Sequence, residues 1–204
     1  MLARKQIGVI ATGTPVWFLA VYLVMSSLRP EYSHLTKAIS ELGSLDAPNM
    51  WAWNILGYIL PGLTIALLAI GLKREFSDSG RKIVVPSMAL AASGLFMAMS
   101  GIFPGDFVHR TSTTMFLHTV GSLGSFVAFL VAGFWLPTFF RSRPDWHWVA
   151  WPSLVLVIGS IVTGFLRSGQ SPGLGQRLGF ACFFLWVGLV GFGLFRANTR
   201  ANAA

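Results

Sequence analysis

The sequence predicts an all-α, polytopic membrane protein built as a bundle of six transmembrane helices. Three observations predict this fold: six long apolar stretches, basic residues gathered in alternate connections, and tryptophans at the ends of the stretches. The chain is 54% hydrophobic and only 11% charged, and its mean hydropathy is +0.66. A soluble single domain of 204 residues does not need so many separate apolar runs.

Each apolar stretch is long enough, or nearly so, to cross roughly 30 Å of hydrocarbon as a helix. The stretches cover residues 7–28, 52–72, 83–103, 114–140, 149–166 and 178–195. The segments between them are too short to form a catalytic domain, so residues 1–204 are expected to form a single transmembrane domain. Gly, Ala and Ser recur within the stretches, which favours close packing between neighbouring helices.

Basic residues are distributed unequally between the two sides of the predicted bundle. The two tails and the second and fourth loops together carry ten basic and three acidic residues. The first, third and fifth loops carry five basic and four acidic residues. The positive-inside rule therefore predicts cytoplasmic termini and places the odd-numbered loops outside. The net charge of +8 reflects this topology, and without a soluble domain we expect no nucleic-acid partner.

Tryptophans near the ends of the stretches support the same topology. Trp51 and Trp53 are expected at the outer interface of the second span, and a second group surrounds the fourth loop. This group consists of Trp135, Trp146, Trp148 and Trp151. Tryptophan is enriched at both membrane interfaces, so these positions are typical of an aromatic belt.

The first outer loop, residues 29–51, is the longest connection. Apolar residues recur in it at helical spacing, and Gly43 is a suitable C-terminal stop. These features predict a short amphipathic helix from about Ser33 to Leu42, lying at the outer interface. In the third loop, Thr111 or Ser112 is expected to cap the fourth helix.

Ionisable groups within a bilayer are costly and therefore usually functional. In this chain the ionisable residue expected deepest in the membrane is His118, about one turn or slightly more inside the fourth helix. We expect it to belong to a polar cluster that lines a pocket open to the outer leaflet and binds a membrane lipid or another amphiphile. The predicted cluster comprises Ser40, Glu41, Asp106, His109, Arg110, His118 and Arg177.

Four members of this cluster have an expected part in binding. Glu41 and Asp106 would accept hydrogen bonds, and His118 would orient the ligand or shuttle a proton. Arg177 would meet an anionic group, because arginine binds phosphate through two parallel hydrogen bonds. The outer mouth is expected to carry a ring of arginines, whose alternative role is non-specific contact with headgroups. The ring consists of Arg29, Arg110, Arg167 and Arg177.

Two other classes of function remain open. The first is a lipid hydrolase or transacylase with Glu41, Asp106 and His118 as its catalytic residues. Asp106, His109 and His118 also form a suitable ligand set for zinc or iron, although the histidines are not at i, i+3 or i, i+4 spacing. The second is a structural subunit of a homo-oligomer or larger membrane complex. An ion channel is least favoured, because the inner two-thirds of every span lacks ionisable residues.

Short motifs near the outer loops resemble a known family. They are Ile39-Ser40-Glu41-Leu42-Gly43, then Gly101, Phe103, Pro104 and Asp106, then His118, and finally Gly175-Gln176-Arg177. In these motifs the chain resembles the bacterial and archaeal six-span family catalogued as domain of unknown function 998. The resemblance covers nearly the whole chain. It implies six spans in the cytoplasmic membrane of a prokaryote, and it implies no particular reaction.

Two further families are similar only in layout. The eukaryotic FRAG–DRAM–Sfk membrane proteins resemble the chain distantly, and some of them are tied to lipid remodelling. The superfamily of alkaline ceramidases and adiponectin receptors also places Ser, Asp and His near one membrane face. That superfamily has seven spans and a late HxxxH pair, whereas this chain has no histidine after His147. The difference weakens the analogy with metal-dependent hydrolases.

Overall fold

The structure is a computed structural model that describes residues 2–166 and 172–201. It contains six long helices, each of which overlaps one predicted stretch. They are α1 (Arg4–Ser27), α2 (Met50–Glu75), α3 (Val84–Ile102), α4 (Thr113–Arg141), α5 (His147–Phe165) and α6 (Pro172–Ala201). All six are long and apolar enough to cross a membrane, and the described ranges contain no strand. The prediction of an all-α, multi-pass membrane protein is therefore confirmed.

The helices form a closed ring in which each packs against the next. The last helix, α6, packs along α1 and also touches α2. The start of α1 and the last turns of α6 lie at the same end of the bundle, where Arg4 and Asn198 both contact Glu75, and we call this the terminal end. The opposite end, which we call the loop end, carries the first and third loops, joined by a hydrogen bond of 3.0 Å from Leu45 N–H to the Gly105 carbonyl. The segments therefore alternate between the two ends as the sequence predicts.

Glycines allow the closest contacts between helix backbones. A Cβ atom on Gly62 of α2 would lie 2.5 Å from the Gly94 carbonyl oxygen and 2.8 Å from the Ala98 nitrogen on α3. A Cβ atom on Gly191 of α6 would lie 2.7 Å from the Thr12 nitrogen on α1. Real Cβ atoms do not approach backbone so closely, so these two interfaces require glycine.

A partly buried carboxylate, Glu75, joins four segments at the terminal end. Its side chain is 9% exposed and pairs with Arg4 Nη1 at 3.0 Å. It also accepts hydrogen bonds from Trp146 Nε1 at 3.4 Å and from Asn198 Nδ2 at 3.2 Å. These partners belong to α1, to the turn before α5, and to α6. Glu75 therefore connects the first and last helices through charge-assisted hydrogen bonds.

The tryptophans divide between interface and core. Trp51 and Trp151 are 52% and 67% exposed, as an interfacial position requires. Trp53 and Trp146 are fully buried, so their assignment to the aromatic belt is wrong. The Trp146 ring stacks on Phe140 with ring centroids 5.0 Å apart. A short stretch of sequence does not distinguish an interfacial tryptophan from one that turns inward.

One turn of α2 is wound as a π-helix, over Asn54–Ile59. A π turn displaces carbonyl groups from their usual partners. The Trp17 indole of α1 donates to the Leu56 carbonyl at 3.0 Å and so satisfies one of these oxygens. The side chain of Asn54 is fully buried and donates to the Gly43 carbonyl at 2.9 Å, which ties the first loop to α2.

The first loop has a different structure from the predicted one. The amphipathic helix from about Ser33 to Leu42 is not confirmed, because a turn is followed there by a short 3-10 helix, Ile39–Gly43. Ile39 and Leu42 are 2% and 1% exposed, so their apolar side chains pack into the bundle. Backbone groups that a longer α-helix would use internally are bonded instead to distant side chains, as described below.

Candidate functional site

The first loop is held over the loop end of α6 by two hydrogen bonds and one close backbone contact. Gly173 N–H donates to the Leu35 carbonyl at 2.8 Å, and Ile39 N–H donates to Gln176 Oε1 at 2.7 Å. A Cβ atom on Gly173 would lie 2.6 Å from the Lys37 carbonyl oxygen, so this contact requires glycine. The loop therefore forms a roof over the space between the helices.

Arg177 lies at the centre of this junction. Its Nε donates to the Tyr22 hydroxyl at 2.6 Å, and Nη2 donates to the Tyr32 hydroxyl at 2.6 Å. Nη1 donates to the Lys37 carbonyl at 2.9 Å. The hydroxyl of Tyr22 also bonds to the His34 ring. These partners occupy all three guanidinium nitrogens, so the structure gives Arg177 a role in holding the loop to α1 and α6.

Tyr32 is part of the same junction and is only 7% exposed. Burial raises the pKa of its hydroxyl well above the usual range, which keeps the phenol protonated. The phenol proton takes part in a hydrogen bond, because the hydroxyl donates to the Ala38 carbonyl at 3.0 Å. The same hydroxyl accepts a hydrogen bond from Arg177.

A cavity of about 740 Å³ lies beneath this roof, among α3, α4, α5 and α6. At the loop end the cavity is closed by Ala38 and Ser40 of the first loop and by Gln176 of α6. Along α4 the cavity extends from Met115 to Leu130, a distance of about 22 Å at about 1.5 Å per residue. Its shape therefore suits an elongated ligand that lies along the helices.

The cavity opens sideways between the loop-end halves of α4 and α5. Leu123 and Phe165 belong to its wall and are 61% and 76% exposed. Towards the terminal end the two helices close up, since a Cβ atom on Gly133 would lie 2.5 Å from a methyl group of Val157. The opening lies within the apolar spans and therefore faces lipid in a membrane.

His118 lies in the wall of the cavity near the loop end and is only 4% exposed. Its Nδ1 is 2.9 Å from the Ser100 carbonyl oxygen and 3.0 Å from that of Phe103. Both oxygens are acceptors, so Nδ1 carries the proton. In a neutral ring, Nε2 is then left with a lone pair, and no described residue donates a hydrogen bond to it.

From His118 towards the terminal end, neutral hydroxyl groups form a polar strip along the cavity wall. Ser122 and Ser125 follow it at i+4 and i+7, on the same face of α4. Their hydroxyls lie 3.1 Å from that of Ser100 and 3.4 Å from that of Ser93, both on α3. The remainder of the wall is largely apolar, so the cavity has a polar strip at one side and hydrocarbon elsewhere.

A smaller cavity of about 290 Å³ adjoins the first at the loop end. Both cavities share wall residues, including Phe107 and Gln176. The smaller one is also lined by Glu41 and Arg110. Glu41 accepts a hydrogen bond from Ala38 N–H at 2.8 Å and pairs with Lys37 at 3.0 Å. Arg110 is exposed, and no carboxylate of the described chain forms an ion pair with it.

Asp106 and His109 organise the third loop and do not line either cavity. His109 N–H donates to Asp106 Oδ1 at 2.7 Å, and the His109 side chain is 79% exposed. The backbone N–H of His109 holds the pKa of the Asp106 carboxyl below its usual range. Ser112 caps α4 by accepting from Met115 N–H at 3.2 Å, as the sequence predicts.

Acid is expected to loosen this loop. A carboxyl whose pKa is lowered by folding contributes stability above its ordinary pKa of about 4, and the contribution is lost as the pH falls below that value. Hydrogen exchange in residues 106–112 should therefore be faster in Asp106→Ala than in wild type at pH 6, and the difference should shrink towards pH 3. Asp106→Asn keeps an acceptor for His109 N–H and should show little pH dependence. Equal differences at both pH values would contradict this role.

The predicted polar cluster is only partly brought together. Ser40 and His118 share the large cavity, Glu41 and Arg110 the small one, and Asp106 and His109 lie apart from both. Within the ranges the structure describes, no three His, Cys, Asp or Glu side chains are grouped to hold a metal ion. Arg167 lies outside the described residues.

Sequence reasoning missed the hydroxyl strip. The sequence predicts Ser100 and Ser125 only as small residues for helix packing, and it does not single out Ser122. The spacing of His118, Ser122 and Ser125 at i, i+4 and i+7 was the available signal, because such residues share one helix face. Gln176 was noticed only within a motif, yet it contributes to both cavities and bonds to the first loop.

The model of one protein family, described as "Protein of unknown function (DUF998)", matches residues 12–193. The chain belongs to this family. The match extends from α1 to α6 and includes the roof, both cavities and His118. The search of curated proteins and that of solved structures each give no significant match. Membership in DUF998 agrees with the six-helix architecture and does not specify an activity.

Proposed function

We propose that this DUF998 protein binds a lipid or another long-chain amphiphile in the large cavity. The observation that carries the proposal is a laterally open, mostly apolar cavity of about 740 Å³ with the polar strip of His118, Ser122 and Ser125 at one side. Ligand pockets are commonly about 300–1,000 Å³ and combine apolar walls with a few polar groups. A hydrocarbon chain would occupy the apolar part, and the head group would lie near His118.

We also propose an orientation for the protein in the membrane. The terminal end carries most of the basic residues, and the positive-inside rule favours its location in the cytoplasm. The loop end would then face out of the cytoplasmic membrane of a prokaryotic cell. His118 lies about 7 Å along α4 from Thr113, so the head group would be held near the outer leaflet's interface.

The contacts of the charged residues refine their expected roles. Arg177 is bonded to the loop and two tyrosines, which favours a supporting role. An anionic extension of a head group would meet Arg110 in the small cavity. Glu41 is engaged by Lys37 and Ala38, so its expected role is to shape the roof. The presence of a cavity behind the lipid-facing surface favours ligand binding over a purely structural subunit.

Native mass spectrometry of gently extracted protein tests this proposal. Wild type is expected to carry a lipid-sized adduct. Ser122→Trp should fill the polar part of the cavity and lower adduct occupancy by about tenfold, because a bulky ring excludes the ligand. Val127→Trp is the matched control, since Val127 is 51% exposed on the same helix and does not line the cavity. Absence of any adduct on wild type, or equal occupancy in both variants, would contradict the proposal.

A further inference from the structure

The hydrogen bonds of His118 restrict the chemistry of the head group. Nδ1 donates to the Ser100 and Phe103 carbonyls, which fixes the proton on that nitrogen. No described carboxylate contacts the ring to compensate a buried positive charge, so the neutral form fits the site. A neutral imidazole protonated at Nδ1 offers only an acceptor at Nε2.

The other described residues that line the large cavity are also uncharged. No Asp, Glu, Lys or Arg is present among the residues known to line it. Its polar groups are hydroxyls, the His118 ring and the Gln176 amide. A carboxylate or phosphate placed there would lose its hydration without gaining a cationic partner from these lining residues. It would also face the Nε2 lone pair with an acceptor of its own.

We infer that His118 Nε2 accepts a hydrogen bond from a neutral donor, a hydroxyl or amide N–H, on the ligand's head group. The ligand class is therefore a long-chain alcohol, a monoalkyl or monoacyl glycerol, or a fatty amide. This inference rests on the proposed function, because it assigns the head group that the cavity binds. Ser122, one turn from His118, supplies a hydroxyl to a second polar atom of the same head group.

A pair of probes that differ only in donors tests the inference. 1-O-Hexadecylglycerol carries two hydroxyls, and its dimethyl ether has the same chain and oxygens without a donor. Purified wild-type protein is incubated with both at equal concentration, and native mass spectrometry reads the ratio of the two adducts. We expect wild type to prefer the diol by about tenfold, which corresponds to one hydrogen bond to a buried acceptor. Hexadecanoate should compete more weakly than the diol.

Variants then assign the preference to one residue. His118→Phe should bring the ratio close to one, because both probes lose the acceptor equally. His118→Gln keeps an amide oxygen as an acceptor and should retain part of the preference. Ser153→Ala is the control, since Ser153 lies on α5 without lining the cavity and its hydroxyl bonds to the Ala150 carbonyl of its own helix. It should leave the ratio unchanged.

The possible outcomes separate the two proposals. Equal binding of diol and ether to wild type would overturn the inference and leave amphiphile binding intact. A preference that persists in His118→Phe would show that another group recognises the donor, and it would also overturn the inference. If wild type binds none of the three probes, the proposed function fails together with the inference. The comparison of ligands on wild type does not depend on whether a variant folds.

Discussion

Replacing Gly94 with leucine is expected to prevent the folded protein from accumulating in the membrane. A Cβ atom on Gly94 would lie 2.7 Å from the Ala66 nitrogen and 3.1 Å from the Ile65 Cβ atom, so α2 and α3 would have to separate. Overpacking of this kind typically costs about 1–3 kcal/mol and more where backbone must move. Because the facing atoms belong to a helix backbone, rotation of a side chain does not relieve the contact.

Gly13→Leu is the matched control for this substitution. Gly13 also lies within a membrane-spanning helix, and a Cβ atom there would meet nothing within 4 Å. Membrane yield and thermal unfolding in detergent should remain close to wild type for Gly13→Leu and fall sharply for Gly94→Leu. Gly94→Ala should be intermediate. Equal yields and unfolding temperatures for the two leucine variants would contradict the close contact of α2 and α3.

The second large effect is expected from Arg177→Ala. The substitution removes two hydrogen bonds that hold the first loop to α6 and a third that holds Tyr22 of α1. The guanidinium also lies over the Tyr32 ring, 5.3 Å from its centroid. Bonds to charged groups contribute about 1.5–3 kcal/mol each when well buried, but this side chain is partly exposed and the bonds are coupled. We expect a total loss of roughly 2–4 kcal/mol, concentrated in the loop.

Hydrogen exchange in residues 32–41 measures this loss directly. Protection should fall in Arg177→Ala, and Arg177→Lys should lose most of it too, because an ammonium group does not reproduce the guanidinium's fixed geometry. Arg110→Ala is the control, because the exposed Arg110 side chain takes no part in this junction. Unchanged protection in Arg177→Ala would show that Gly173 and Gln176 hold the roof without it.

The architecture could be predicted from the sequence because it depends on local properties. The length and hydropathy of each stretch determine whether it spans a membrane, and the placement of basic residues indicates which segments share an end. Trp53 and Trp146 show where such local reasoning fails. Both stand where interfacial tryptophans are expected, yet contacts with distant rings turn them inward.

The candidate site was predicted less completely, for a related physical reason. His118 was identified because an ionisable group inside an apolar stretch is costly wherever the chain folds. The structure of the first loop depends on a bond between Ile39 and Gln176, which are 137 residues apart. Helical periodicity in residues 33–42 carries no information about such a partner. The predicted cluster therefore combined residues that bind the loop with residues that line the cavity.

The position of Glu75 has a consequence for the order of assembly during synthesis. Two of its partners, Trp146 and Asn198, are 71 and 123 residues further along the chain. When α2 enters the membrane, Arg4 is the only one of these three partners already made. The carboxylate therefore remains at the membrane surface, incompletely bonded, until α6 arrives and closes the ring against α1. A chain truncated before α6 would leave this carboxylate without Asn198 and would expose the face of α1 around Thr12 that otherwise packs against Gly191.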